Sequence, residues 1–412
     1  MPTIRRCVLL LSVPLLLVPA ARAHWPGWRG PGGDNVAEGK NYPSHWSDTD
    51  NVLWKVSLEG AGVSAPVVWR DHIFLTASDG RHNDQLHVYA YHRRDGRQLW
   101  HTRLFGSAQP EGLFPPGGMA VPTPCTDGRQ LFVLFGTGDL ACLDFDGKPV
   151  WLRSLAQDYG PFRNRWGMGA SPILVDGLVI VQVDHWSQSY LLAVDAATGA
   201  TRWRTERSAS VNWSTPAAAS VNGKKLLITT GSQRVHGYDL DTGAELWSVI
   251  GLRDECIPTP VVRDDMVYAV SGRKGQTLAI RLDEKARGDI TASHVVWRRT
   301  RGSPYTPSAL CYRGYYFLGD DEGIGTCYDA VSGKELWRER LGGKYYRASP
   351  VAAAGKIYFT SMEGLVTVIE AGPEFKELAR NRLGADIVAT PAFSDGQIFI
   401  RTTEHLYCIG VK

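Results

Sequence analysis

Aromatic rings set beside arginines, amides and carboxylates are the residues of this chain best equipped to hold a ligand. They come in short clusters: Tyr159-Gly-Pro-Phe-Arg163-Asn-Arg165-Trp166, Asp184-His185-Trp186, Val211-Asn212-Trp213, Arg253-Asp254-Glu255, Tyr305 and Tyr345-Tyr346-Arg347. Such sets can stack on a flat ring and hydrogen-bond its polar rim, as a sugar or a quinone requires. The plainer alternative is that Tyr and Trp only seal a surface and that the loops are polar because loops are. No Ser/His/Asp or Cys/His nucleophile set can be picked out by spacing. Asp320-Asp321-Glu322 lacks the alternate spacing of a calcium loop, and His82 and His87 fit no ligand pattern, so no metal site is expected.

The elements that must position these clusters come from a repeat. Asp195-Ala-Ala-Thr-Gly199-Ala-Thr-Arg-Trp203 returns as Asp239-Leu-Asp-Thr-Gly243-Ala-Glu-Leu-Trp247 and as Asp329-Ala-Val-Ser-Gly333-Lys-Glu-Leu-Trp337. Looser copies are Arg94-Asp-Gly96-Arg-Gln-Leu-Trp100 and Asp144-Phe-Asp-Gly147-Lys-Pro-Val-Trp151. Asp and Thr oxygens can accept the turn amides, Gly takes the left-handed conformation, and the following strand carries an indole at a fixed place. The recurrence, about every 45 residues, marks a repeat architecture.

A second marker, Ser or Thr followed by Pro, leads each repeat: Thr123-Pro124, Ser171-Pro172, Thr215-Pro216, Thr259-Pro260, Thr306-Pro307, Ser349-Pro350 and Thr390-Pro391, with Ala65-Pro66 as an eighth copy. Pro suits the start of a strand, where its missing N–H is not needed. Short apolar strands and turns follow, four strands to a unit. The last repeat has only three, and Leu53-Trp54-Lys55-Val56-Ser57-Leu58 supplies the fourth from the other end of the chain. The expected fold is therefore all-β: an eight-bladed β-propeller over 51–412, closed by its N-terminal strand. Blade five carries an insertion, Glu284 to Ser293, and blade seven offers Glu377-Leu378-Ala379 in place of a tryptophan, which predicts the weakest joint there. The link from Phe105 to Val121, rich in Pro and Gly, should protrude beside the clusters as a partial lid or contact loop.

Composition agrees with a turn-rich globular chain. Hydrophobic residues make up 43% and charged residues 21% of 412, and a net charge of +3 gives no field to draw nucleic acid. Arg5 and Arg6, the apolar run Val8 to Val18 and Ala21-Arg22-Ala23 read as a signal peptide over 1–23, leaving a 24–50 extension and a soluble exported chain with no membrane span. The general secretory route fits better than a twin-arginine signal. Cys125, Cys142, Cys256, Cys311, Cys327 and Cys408 then remain, and the shared repeat position of Cys142, Cys327 and Cys408 favours buried thiols over disulfides.

The Asp-x-x-Thr-Gly-x-x-x-Trp hairpin, with the opening Trp25-Pro-Gly-Trp28-Arg-Gly-Pro31, resembles the PQQ-like repeats of quinoprotein-type propellers. That group includes pyrroloquinoline quinone (PQQ) dependent alcohol dehydrogenases and BamB-type assembly lipoproteins. The resemblance spans about 51 to 410, is specific for fold and is weak for function. It implies that Trp54, Trp100, Trp151, Trp203, Trp247, Trp297 and Trp337 wedge between neighbouring blades. It also implies what a dehydrogenase of the group would need: adjacent cysteines, a tryptophan floor and a calcium site of Glu, Asn and Asp. The sequence has no Cys-Cys pair and no Cys-x-x-Cys-His haem motif, which weighs against PQQ with calcium as a cofactor without removing it. Three functions stay open. The leading expectation is a monomeric, non-catalytic exported scaffold binding a protein or polysaccharide at the channel mouth; the others are a PQQ-dependent alcohol or sugar dehydrogenase and a carbohydrate-binding propeller. The candidate contacts are Arg163, Arg165, Trp166, Trp186, Asn212, Trp213, Arg253, Glu255, Tyr305, Tyr346 and Arg347.

Overall fold

The computed structural model describes residues 24–208, 210–221, 223–272 and 275–411. The expected signal peptide, 1–23, and Asn222 of one expected turn lie outside the described residues.

Eight antiparallel sheets follow one another along the chain, their innermost strands beginning at Val67, Cys125, Ile173, Ala217, Val261, Leu310, Val351 and Ala392. Blade three explains the pattern. Its middle strands, Leu178–Val183 and Ser189–Asp195, are sandwiched between neighbouring blades and read as apolar runs, while the outer strand Thr201–Arg207 faces water and turns polar. The eighth sheet is completed by Val52–Ser57, paired antiparallel with His405–Ile409 so that Trp54 lies opposite Cys408. The expected eight-bladed ring, closed by its first strand, is what forms.

The hairpins behave as their chemistry dictates. Asp195 Oδ1 accepts from the Thr198 amide at 3.0 Å and the Thr198 hydroxyl at 2.9 Å, bonds that hold its carboxyl below the usual range. Gly199 follows at φ 74°. The glycine has a second duty that spacing alone did not reveal: a Cβ there would strike the indole of Trp151 from the preceding blade. Indole N–H groups donate to a carbonyl of the next blade at six joints, Trp54 to Arg93 (2.9 Å), Trp100 to Phe145 (2.8 Å), Trp151 to Ala196 (2.9 Å), Trp203 to Leu240 (3.0 Å), Trp297 to Ala330 (3.0 Å) and Trp337 to Gly372 (3.2 Å). Trp247 differs. The insertion of blade five puts Ala286 and Ile290 into its core cluster where a glycine hairpin would stand. That insertion turns back instead, and Gly288–Asp289 adds a fifth, parallel strand to the edge of blade four.

The joint expected to be weakest is filled. Ala379 leaves room in blade seven, and the extension supplies Tyr42 and Trp46, both buried: Trp46 stacks near Tyr358 at 6.4 Å and Tyr42 meets Phe393 at 5.4 Å. Asn381 fixes this strap, accepting from the Trp46 amide at 2.8 Å and donating to Ser44 O at 2.8 Å. Farther upstream the extension crosses the bottom of the ring. Trp25 pairs with Val68 of blade one, Pro26 O accepts from Thr126 of blade two, and Arg29 reaches Ala309 O of blade six. Val36–Ala37 then joins blade seven as a parallel strand.

The Ser/Thr-Pro markers also have an unforeseen role. At six joints the amide of the marker residue donates to the marker hydroxyl of the next blade: Ala65 to Thr123, Thr123 to Ser171, Ser171 to Thr215, Thr259 to Ser308 and Ser308 to Ser349 at 2.9 Å, and Ser349 to Thr390 at 3.0 Å. In blade six the residue in register is Ser308, two positions beyond the expected Thr306-Pro307, because register is set by the bond to Ser349 and not by the proline. Between blades eight and one, Arg401 bridges instead, donating to Ser64 O, Ser64 Oγ and Thr76 O at 2.7–3.2 Å.

Two predictions follow from this packing. Trp297→Ala should cost ~3–5 kcal/mol, and Trp297→Phe less, in urea or thermal unfolding, since truncation empties a buried inter-blade site; an unchanged melting curve for the alanine variant contradicts the wedge role. The six thiols are all buried and unpaired, and burial pushes Cys311 up to about 11 and Cys142, Cys256, Cys327 and Cys408 up to about 12. Protein starting at His24 should therefore react at pH 8 with no Ellman equivalents in the native state, against six after denaturation. Because folding raises these values from 9.0, the associated stability is complete below about pH 9 and declines as pH rises toward 12, so the unfolding midpoint should drop across that window.

Candidate functional site

The loops that carry the aromatic clusters join outer strands to the next inner strand, or second strands to third, and so gather at one end of the channel. They surround a cavity of about 380 Å³. Its floor is Trp28 of the extension, whose indole N–H donates to Thr259 Oγ1 at 2.9 Å. The wall at that level is the ring of marker hydroxyls, Thr123, Ser171, Thr215, Thr259, Ser308, Ser349 and Thr390. Above them stand Phe114, Trp166, Trp213, Tyr305 and Arg347. The channel is thus a cup, open at one end and stopped by the chain's own N-terminal segment at the other.

Phe114 belongs to the long Phe105–Val121 link, which folds over the mouth. Its backbone carbonyl accepts from Gly117 and Gly118 in a tight turn, and the Met119 amide is anchored to Ser78 Oγ at 2.9 Å. The Arg347 guanidinium lies over the Phe114 ring at 4.8 Å, tying the link to blade seven. Among the described residues Arg347 is the only charged side chain in the lining, and no carboxylate, imidazole or thiol lines the cup with it.

Four of the eleven candidates meet at this cup: Trp166, Trp213, Tyr305 and Arg347. Trp213 is locked in place by its N–H to Gly167 O at 2.8 Å, and Trp166, 45% exposed, lies under the Arg165 guanidinium at 5.2 Å. Arg163, Arg165 and Trp186 form an outer tier of the rim beside blade three. Trp186 donates its amide to Arg163 O at 3.1 Å and is 61% exposed, and Arg163 approaches Glu111 of the link at 3.8 Å. Arg253 and Glu255 also stand outside the cup; Glu255 accepts from the Tyr305 hydroxyl at 3.2 Å and so props that ring.

Two candidates are packing residues. Asn212 is buried, accepting from the Cys256 amide at 2.8 Å and donating to Ser210 O at 2.9 Å. Tyr346 is buried among Leu341, Phe359 and their neighbours, and its partner Tyr345, 64% exposed, takes the outward place at φ 56°. Sequence could not decide which of two adjacent tyrosines turns inward. Asp184 also turns inward, to a pair with Arg207 at 2.9 Å in which both side chains are 1% exposed. Burial opposes the arginine's charge, but Asp184 and Tyr238 outweigh it and hold its pKa above the ordinary value. His185 beside it is driven the other way, its pKa lowered chiefly by burial, and its Nδ1 faces the Arg163 amide at 3.2 Å. The ring acts as a loop acceptor.

The donors of the cup do not fit a calcium-bound quinone. A hard cation asks for carboxylate oxygens, and the lining offers hydroxyls and one guanidinium. Among the described residues, no group of three His, Cys, Asp or Glu is placed to hold a metal ion. Nor does any described helix have the length and apolar character to cross a membrane.

Known proteins share this architecture. The profile of the family described as "Outer membrane protein assembly factor BamB" matches residues 36–104, 84–324, 291–374 and 320–409. The outer membrane protein assembly factor BamB of Yersinia pestis is 21% identical over 332 residues, covering 66% of this chain and 76% of that protein. The tetrathionate hydrolase of Acidithiobacillus ferrooxidans is 23% identical over 294 residues, and the match spans only 53% of its length. In structure, the quinohemoprotein alcohol dehydrogenase of Comamonas testosteroni superposes with a TM-score of 0.69 at 14% identity, over 96% of this chain and 82% of the enzyme, a likeness of fold alone. With its profile match running from Val36 to Ile409 and eight blades built on one repeated hairpin, the chain belongs to the BamB family of PQQ-like repeat propellers.

Proposed function

We propose that this chain is a non-catalytic binding propeller of the cell envelope, and that it engages its partner through the channel-mouth face. The observation that carries this reading is the set of large apolar side chains left in water at that face: Trp166 (45% exposed), Trp186 (61%) and Tyr345 (64%). Rigid aromatics on loops, next to Arg163, Arg165 and Arg347, have the composition of binding anchors, and their exposure costs solvation unless a partner covers them. The link over 105–121 adds adaptable surface beside them. The family's assembly-factor relatives and the reading of 1–23 as a signal peptide support the envelope as the place of action.

The dehydrogenase reading has a fold-level neighbour but no matching chemistry, since among the described residues neither a carboxylate base nor an anionic metal ligand lines the cup. Two measurements separate the readings. A photo-crosslinking side chain at position 186 should give a discrete protein adduct in intact envelopes, and Trp166→Ala with Tyr345→Ala should weaken that adduct at least ~10-fold, the scale of losing two anchor residues. Dye reduction with alcohols or aldoses at enzyme-like rates, after loading with PQQ and calcium, overturns the proposal. Binding across a glycan array with no protein adduct would favour a carbohydrate module instead.

A further inference from the structure

The ring of marker hydroxyls leaves a specific chemical demand inside the cup. A Ser or Thr hydroxyl has one proton to give and two lone pairs to receive. Six of the seven lining hydroxyls already accept a neighbouring amide, and Thr259 accepts the Trp28 indole N–H. None of the seven is recorded as donating its own proton to another group among the described residues. The cup therefore presents a belt of O–H donors to its lumen, with no anionic acceptor in the lining to take them. Arg347 adds one positive charge at the rim, with an aromatic ring on one side and no ion pair among the described residues. Between the belt and the rim lie Trp166, Trp213, Phe114 and Tyr305.

We infer that the cup binds an aromatic monocarboxylate that carries a neighbouring carbonyl oxygen, the chemistry of an N-acylated aromatic amino acid. The carboxylate meets Arg347, the carbonyl takes protons from the belt, and the ring fills the aromatic collar. A single cation among the described lining residues sets the charge at one: a ligand with several carboxylates would carry uncompensated anions into a largely apolar site. At about 380 Å³ the cup lies near the small end of ligand cavities, which suits one such group and not a long polymer. The same chemistry arises from two sources, a free small acid or the C-terminal residue of a peptide chain. The inference deepens the reading of the mouth as a binding face and rests on it, but it concerns the lumen, which the crosslinking at position 186 does not probe.

The test uses the full mature chain and calorimetry, with the fluorescence of the lining tryptophans as a second signal. N-acetylphenylalanine should bind, and N-acetylphenylalanine amide should bind roughly 10- to 100-fold more weakly, as expected for loss of a charge-assisted contact. Arg347→Met, which keeps the stack on Phe114 and removes the charge, should abolish that preference while leaving the melting temperature unchanged. A hexapeptide ending in a free phenylalanine carboxylate, compared with its amidated twin, separates the sources: tighter binding than the single residue assigns a chain end, weaker binding a free acid. Equal affinity for acid and amide, an acid preference that survives Arg347→Met, or no heat and no fluorescence change at millimolar ligand each overturns the inference. So does PQQ binding more tightly than every monocarboxylate. Loss of the envelope adduct with acid binding intact would sink the partner reading alone.

Discussion

Everything in this molecule depends on one antiparallel pairing between Val52–Ser57 and His405–Ile409. Seven blades can each stack on the next, but a stack has two ends, and each end is an exposed face with unpaired edges. Joining strands from opposite ends of the chain turns the stack into a ring and makes an axis. Only then do the eight inner strands face one another around a channel. The pairing spans roughly 350 residues of sequence separation, so it carries a closure cost that only a largely formed stack can repay. The extension strengthens this step. The same segment that leads into Val52 has already crossed the channel floor and filled the seventh joint, so floor, joint and closure form as one unit.

What was legible in the sequence was whatever each blade repeats. Short apolar runs gave the strands, Gly-x-x-x-Trp gave the hairpins, and the Ser/Thr-Pro markers gave the blade count. The same signals mislead where a blade has traded one partner for another. Trp247 keeps the spacing, yet the insertion of blade five puts Ala286 and Ile290 into its core cluster where a glycine hairpin would stand. Ala379 suggested a hole, yet Tyr42 and Trp46 come from over 300 residues away to fill it. Thr306-Pro307 satisfied the pattern of letters, and Ser308 satisfied the hydrogen bond.

The site was less legible than the fold. Loops were expected to gather their aromatics at one end, but a loop's sequence does not say which side chain turns inward. Tyr345 and Tyr346 are neighbours with opposite fates, and Asn212 spends its polar groups on Cys256 and Ser210. The parts that define the cup were hidden for a different reason. Trp28, Phe114 and the belt of hydroxyls come from the extension, the long link and the strand starts, three places whose residues meet only after the ring has closed.

This distribution explains how one scaffold serves unrelated chemistries. The belt hydroxyls cannot easily become metal ligands, because six of the seven are tied to a neighbouring blade's amide and Thr259 to the Trp28 indole, and a carboxylate there would bring charge into a ring of structural bonds. Variation is therefore confined to the tier above, where Trp166, Trp213, Tyr305 and Arg347 sit on loops that the strands do not constrain. A propeller that places carboxylates in that tier can hold a cation. Among the described residues this one places aromatics and a single guanidinium there, with no carboxylate, imidazole or thiol beside them in the lining.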